Sequence, residues 1–243
     1  MTRDLLQLAD WLRGRGVKHV AMEATGVYWK PVWNILEGEF EVVLVNAQHI
    51  KRVPGRKTDV KDCEWIAELL QHGLVQASFV PPAEVRELRD LTRYRATLVE
   101  EGARVVNRIE KVLEDANLKL ASVVTDILGV SGRAILASIV RGEEDPERLA
   151  EMARCRLRAK LPALREALRG RVTEHHRFLL RRLLEHVRFV ESEIAKLEER
   201  IAEQMRPFQK EVELWSSMPG VNQVAAWSMV AELGPGLTAF PSE

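Results

Sequence analysis

Apolar residues along this chain follow two periods in turn up to the paired prolines Pro81-Pro82, and essentially one period beyond them. Leu5, Leu6, Leu8, Trp11 and Leu12 fall on helical spacing, so residues 2–15 predict an amphipathic helix stopped by Gly14 and Gly16. Residues 17–22 form a short apolar run that predicts a strand, with Gly26 just past its end. Residues 27–36 predict a helix, with Pro31 tolerable only in its first turn. Residues 41–45 are nearly all apolar, as expected of a strand covered on both faces. A basic loop broken by Pro54-Gly55 follows, and Thr58 is a good N-cap for a helix from Asp59 to His72. Residues 76–80 have the composition of a short last strand. Alternating strands and helices imply an α/β region.

After the prolines the pattern becomes helical. Residues 83–118 predict one long helix, because Val85, Leu88, Leu91, Leu98, Val105, Ile109 and Val112 lie near a heptad seam that Arg95 and Gly102 interrupt. Gly129 and Gly132 break the next segment, and Ser131 is placed to cap the helix after it rather than to act as a nucleophile. Leu180, Leu183, Val187, Val190, Ile194, Leu197 and Ile201 step by three and four with charged flanks. Such a narrow seam fits a partner helix, either in another copy or in the chain's own long helix. Pro207 ends it.

The 243 residues are 46% hydrophobic and 30% charged, which excludes a disordered chain and allows substantial cores. No apolar run reaches the ~20 residues of a membrane span, and no signal peptide is visible. Cys63 and Cys155 form no ligand or disulfide pattern, which suits a reducing cytoplasm. Net charge is zero but unevenly spread: residues 154–182 hold ten Lys or Arg against two acids, and residues 185–203 hold six acids against three bases. That asymmetry sets a polyanion-facing stretch beside a protein-facing one. His175 and His176 are adjacent, cannot share a helix face, and are read as surface or phosphate contacts.

The candidate chemistry centres on three acids. Asp59 and Asp62 are three apart on one face of a helix, and Glu23 ends a strand. Carboxylates so arranged can hold hard divalent cations, although two aspartates in a first helical turn also simply complement the helix dipole. Lys51, Arg52, Arg56, Lys57 and Lys61 surround the pair, as a metal site on a phosphate backbone requires. Along the long helix Arg93, Arg95, Arg104 and Arg108 stand with Tyr94, suited to a nucleic-acid backbone or to unpaired bases.

Three runs carry a family resemblance: Met22-Glu23-Ala24-Thr25-Gly26-Val27-Tyr28-Trp29, then Val43-Leu44-Val45-Asn46-Ala47, then Lys57-Thr58-Asp59-Val60-Lys61-Asp62. Together they resemble the insertion sequence 110 type transposases, or bridge-RNA-guided recombinases, whose N-terminal domain is a DEDD, RuvC- and RNase H-like fold. The resemblance implies Mg²⁺ bound by four acids, the last three of which map to Glu23, Asp59 and Asp62. The first has no counterpart: Asp4 and Asp10 lie in a helix pattern, so Met1 is read as falling inside the family's first helix. The run around Ser217-Met218-Pro219-Gly220-Val221-Asn222 resembles the family's helix-hairpin-helix-like turn, in which Gly220 would approach a phosphate and Asn222 would tolerate a left-handed backbone. The family's nucleophilic serine has no counterpart before Glu243.

The resulting expectation is a partial RNase H-like domain over 1–80, a basic helical region over 83–170, a coiled-coil helix over 171–208, and over 209–243 the start of a C-terminal transposase domain. The resemblance implies DNA and guide RNA as partners, a homodimer through the coiled coil, no membrane, and a cytoplasmic setting. The expected function is DNA transposition, with strand transfer absent in this chain alone. The alternatives are a nucleic-acid-binding module without catalysis, and a product that cannot fold.

Overall fold

The computed structural model describes residues 1–46 and 59–237, with the side chains of all of these except 59–62. Met1–Pro82 forms one compact unit, and Ala83–Thr238 a second, larger one.

The first unit is built around a parallel strand pair. Helix α1 (Thr2–Gly14) leads through Gly16, whose φ of +70° turns the chain, into β1 (His19–Glu23). Helix α2 (Trp29–Leu36) makes the crossover to β2 (Glu41–Val45), because parallel strands need a connection longer than a hairpin. The register places His19 opposite Glu41 and Glu23 opposite Val45. α1 packs on α2, with Ala9 and Leu36 buried, and Leu44 and Val45 complete the small core. Helix α3 (Asp59–Gln71) packs on β1 through residues that include the buried Ile66. The strand expected over 76–80 is reduced to one antiparallel bridge between Val45 and Ala77, with Ser78 N–H donating to the Leu44 carbonyl at 2.7 Å. Pro81 and Pro82 have no N–H with which to extend that ladder.

The second unit is organised by two long helices. α4 (Ala83–Asp115) extends for about 50 Å at 1.5 Å per residue. It is one continuous helix, as the pattern predicts, and runs unbroken through Arg95 and Gly102, which interrupt only the apolar seam. Tertiary packing overrides the glycine's propensity here, since a Cβ at Gly102 would meet Val190 in ordinary contact. α4 ends earlier than 118: Asn117 is left-handed (φ 55°), and Leu118 N–H reaches back to the Leu113 carbonyl at 2.8 Å, closing the helix end.

Four short helices then follow, α5 (Leu120–Val123), α6 (Val130–Arg141), α7 (Pro146–Ala150) and α8 (Leu161–Ala167), with a 3₁₀ turn over Cys155–Lys160. They lead to the second long helix, α9 (Glu174–Gln204). The pairs Arg95–Glu198, Glu101–His186 and Asp115–His176 run in opposite sequence order, so α9 lies antiparallel along α4. The apolar seam of α9 is therefore closed by the chain's own long helix, with Leu180, Leu184, Val187, Val190 and Ile201 buried.

Each end of this hairpin has its own core. At one end Val105, Ile109 and Leu113 pack with Ile135, Leu136 and Ile139 of α6 and with Leu164 and Leu180. At the other end Leu88 and Ile201 pack with Trp227 and Val230 of α11 (Gln223–Leu233), which follows α10 (Gln209–Ser216).

Three local expectations are corrected. Ser131 does not cap α6: Gly129 is the N-cap residue, and Ser131 Oγ instead accepts from Arg154 N–H at 2.9 Å. Gly132 does not break the helix but sits in its first turn, where a Cβ would lie 2.2 Å from the Ile127 carbonyl oxygen. His176 is no surface contact. It is buried, because its ring closes the N-terminal cap of α9.

Candidate functional site

Glu23 is the last residue of β1, at the carboxyl end of a parallel strand, where open α/β sheets place their ligands. It is half-buried, and its carboxylate has no hydrogen-bond or ion-pair partner among the described residues. It lines a groove of about 510 Å³, whose opposite wall is Cys63, Ile66, Ala67 and Leu70 of α3. Asp62 immediately precedes Cys63 in that helix, and Asp59 opens it. Cys63 and the residues of α3 after it thus share a groove with β1. The side chains of Asp59, Lys61 and Asp62, and residues Lys51, Arg52, Arg56 and Lys57 entirely, lie outside what the structure describes. Among the residues whose side chains are described, which do not include Asp59 and Asp62, no group of three or more His, Cys, Asp or Glu is placed to hold a metal ion.

The arginines of α4 divide into two kinds. Arg93 makes a bidentate pair with Glu232 at 2.7 and 2.8 Å, and that bonding raises its pKa. Arg89 donates to the carbonyls of Ala231 and Glu232 at the end of α11, the negative end of that helix. Burial pushes the Arg89 pKa down, against the opposing pull of Glu232. Arg95 is one-fifth exposed and donates twice to Glu198 of α9. All three hold helices together. Arg104 and Arg108, with Lys111, are exposed one turn apart on one face of α4 and have no ion-pair partner among the described residues.

Gly220 does take up a left-handed backbone, with φ +85° in the turn between α10 and α11. Asn222 does not need one. It is extended (φ −86°, ψ 171°) and caps α11 by accepting from Ala225 N–H at 2.9 Å. The sequence expectation put the left-handed residue two positions late, because an Asn after a glycine fits either role.

Arg154, Arg156 and Lys160, which no motif in the sequence singles out, are gathered by the 3₁₀ turn beside α6. Their signal was the basic run over 154–182, too diffuse to single them out.

Comparison with known families completes the picture. Residues 1–118 match a family model described as a transposase, of the DEDD type of insertion sequence 110. Over that stretch the chain is similar to the IS110-type transposases. The transposase match contains Glu23, Asp59, Asp62 and the whole of α4, and it stops before Gly220. No curated protein matches the chain. No helix among the described residues is long and apolar enough to cross a membrane.

Proposed function

We propose that the chain is the part of an insertion-sequence transposase that pairs a metal-binding, RNase H-like unit with a helical unit for nucleic acid. Glu23 carries the reading: a half-buried carboxylate without a partner among the described residues, at the carboxyl end of a parallel strand, facing the helix that Asp59 and Asp62 begin. An all-oxygen donor set of this kind fits Mg²⁺. Glu23, Asp59 and Asp62 would hold the ion, which when bound supplies charge stabilisation at a scissile phosphate. The role of β1 is to fix the glutamate, and the role of α3 is to present two carboxylates a turn apart on one face.

In the helical unit Arg104 and Arg108 are the residues that support contact with DNA or guide RNA, because they are exposed and free of carboxylate partners among the described residues. A second copy belongs to the proposal as well. With the α9 seam closed by α4, protomers would meet on the outer face of α9, where Phe178 and Phe189 are exposed three turns apart.

The test is Mn²⁺ binding followed by electron paramagnetic resonance, with Mg²⁺ as competitor. The wild-type chain is expected to bind, and Glu23→Gln and Asp62→Asn are each expected to weaken binding about tenfold or more. Equal binding by wild type and both variants would remove the metal site. A nucleic-acid-binding module without catalysis is favoured if oligonucleotide affinity falls steeply with salt while Asp59→Ala and Asp62→Ala change nothing.

A further inference from the structure

The Cys155–Lys160 turn folds back on the start of α6 and leaves a cleft of about 390 Å³, within the range of small-molecule sites. One wall is apolar, from Val123, Val130 and Leu157. The rim is basic, from Arg154, Arg156 and Lys160, and among the described residues no acid lines the cleft. The turn is fixed in place, because Arg154 N–H donates to Ser131 Oγ at 2.9 Å and Lys160 Nζ to the Val123 carbonyl at 3.2 Å. Lys160 keeps two further donors after that bond.

Several arginines near the cleft are already paired. Arg133, Arg158, Arg165 and Arg177 each meet a glutamate, whereas Arg154 and Arg156 have no ion pair among the described residues. Val130 is left 73% exposed at the lip, although it sits beside a hydrophobic core that buries Ile135 and Leu136. An open apolar wall beside unpaired cations matches a ligand with a flat, weakly polar body and an anionic edge. A stacked base in a duplex has no free face to offer, but an unpaired nucleotide has one.

We propose that this cleft receives one unpaired nucleotide of a nucleic-acid strand, its base against Val123, Val130 and Leu157 and its phosphates on Arg154, Arg156 and Lys160. The proposal rests on the nucleic-acid reading of the helical unit and adds to it a single-stranded ligand and a defined seat. It also separates duties: exposed cations elsewhere, such as Arg104 and Arg108, contact any backbone, while this cleft selects strands that can spare a base.

The experiment measures fluorescence anisotropy of a short labelled oligo(U) and of a labelled blunt duplex with the whole chain. Val130→Trp fills the cleft without changing charge, at a position exposed enough to accept the ring. It is expected to weaken oligo(U) binding about five- to tenfold, with an unchanged salt slope and unchanged duplex binding. Arg156→Ala with Lys160→Ala, both on the surface, is expected to weaken oligo(U) binding and to lower its salt slope by about two. In methyl spectra adenosine 5′-monophosphate is expected to shift Val123 and Leu157, and inorganic phosphate at the same concentration to leave them in place. Oligo(U) bound equally by wild type and both variants overturns the cleft alone. Absence of oligo(U) binding by wild type overturns the cleft together with the nucleic-acid reading. Phosphate shifting the methyl signals as adenosine monophosphate does would overturn the seat for the base.

Discussion

His176 Nε2 lies 2.9 Å from the carboxylate of Asp115, joining the first turn of α9 to the last residue of α4. The same ring accepts from Thr173 N–H through Nδ1, while Thr173 Oγ1 accepts from His176 N–H. Because Nδ1 is the acceptor, the ring proton sits on Nε2 and faces the carboxylate. One imidazole thus closes a helix N-terminus and ties the two long helices together where the hairpin turns. Thr173→Ala is expected to lower stability by about 1 kcal/mol, and His176→Ala by about 2 kcal/mol. The double variant should cost less than the sum, since both remove the same cap. Urea unfolding of the three variants measures this, and full additivity would mean that the cap is not shared.

Gly132 is a question of space. An added Cβ would stand 2.2 Å from the Ile127 carbonyl oxygen and 2.6 Å from its carbon, both backbone atoms that cannot swing aside. Gly132→Ala should therefore destabilise by about 3 kcal/mol despite alanine's better helix propensity. Thermal unfolding of the variant at or above the wild-type midpoint would contradict the close approach.

Glu143 gives a pH dependence. The backbone N–H of Asp145, and that of Glu144 after it, donate to its carboxylate, and Arg148 stands nearby, so its pKa falls below the ordinary 4.5. A carboxyl depressed on folding stabilises the protein above that value, and the stabilisation is lost as the pH drops through the folded pKa. Glu143→Gln should be less stable than wild type at neutral pH. The gap should close as the solution is acidified below the carboxylate range, as read from denaturation midpoints across pH.

The two kinds of arginine on α4 should separate in one assay. Arg104→Ala with Arg108→Ala should weaken oligonucleotide binding at every sequence and lower the salt slope by about two, with little change in melting temperature. Arg93→Ala removes the pairing with Glu232, so it should lower the melting temperature while keeping the slope. A slope that falls for Arg93→Ala and holds for the double variant would reverse these assignments.

The two opening strands, the crossover helix and the long amphipathic helices were legible in the sequence, because each shows its period within one segment. So were Glu23 at a strand end and the Asp59–Asp62 spacing on a helix, both of which are local properties. Three things were not. The seam of α9 shows the same spacing whether its partner is another copy or α4, and only the fold brought α4 to it. His176 looked like one of two surface imidazoles until a residue 61 positions away came within bonding distance. Arg93 and Arg104 have the same charge on the same helix, yet α11 supplies a carboxylate to the first, and the described residues supply none to the second. Sequence determined the elements and the chemistry available, because periodicity and side-chain type are local. Tertiary structure decided which groups were consumed in holding the chain together and which were left for a ligand, because that depends on what distant segments bring.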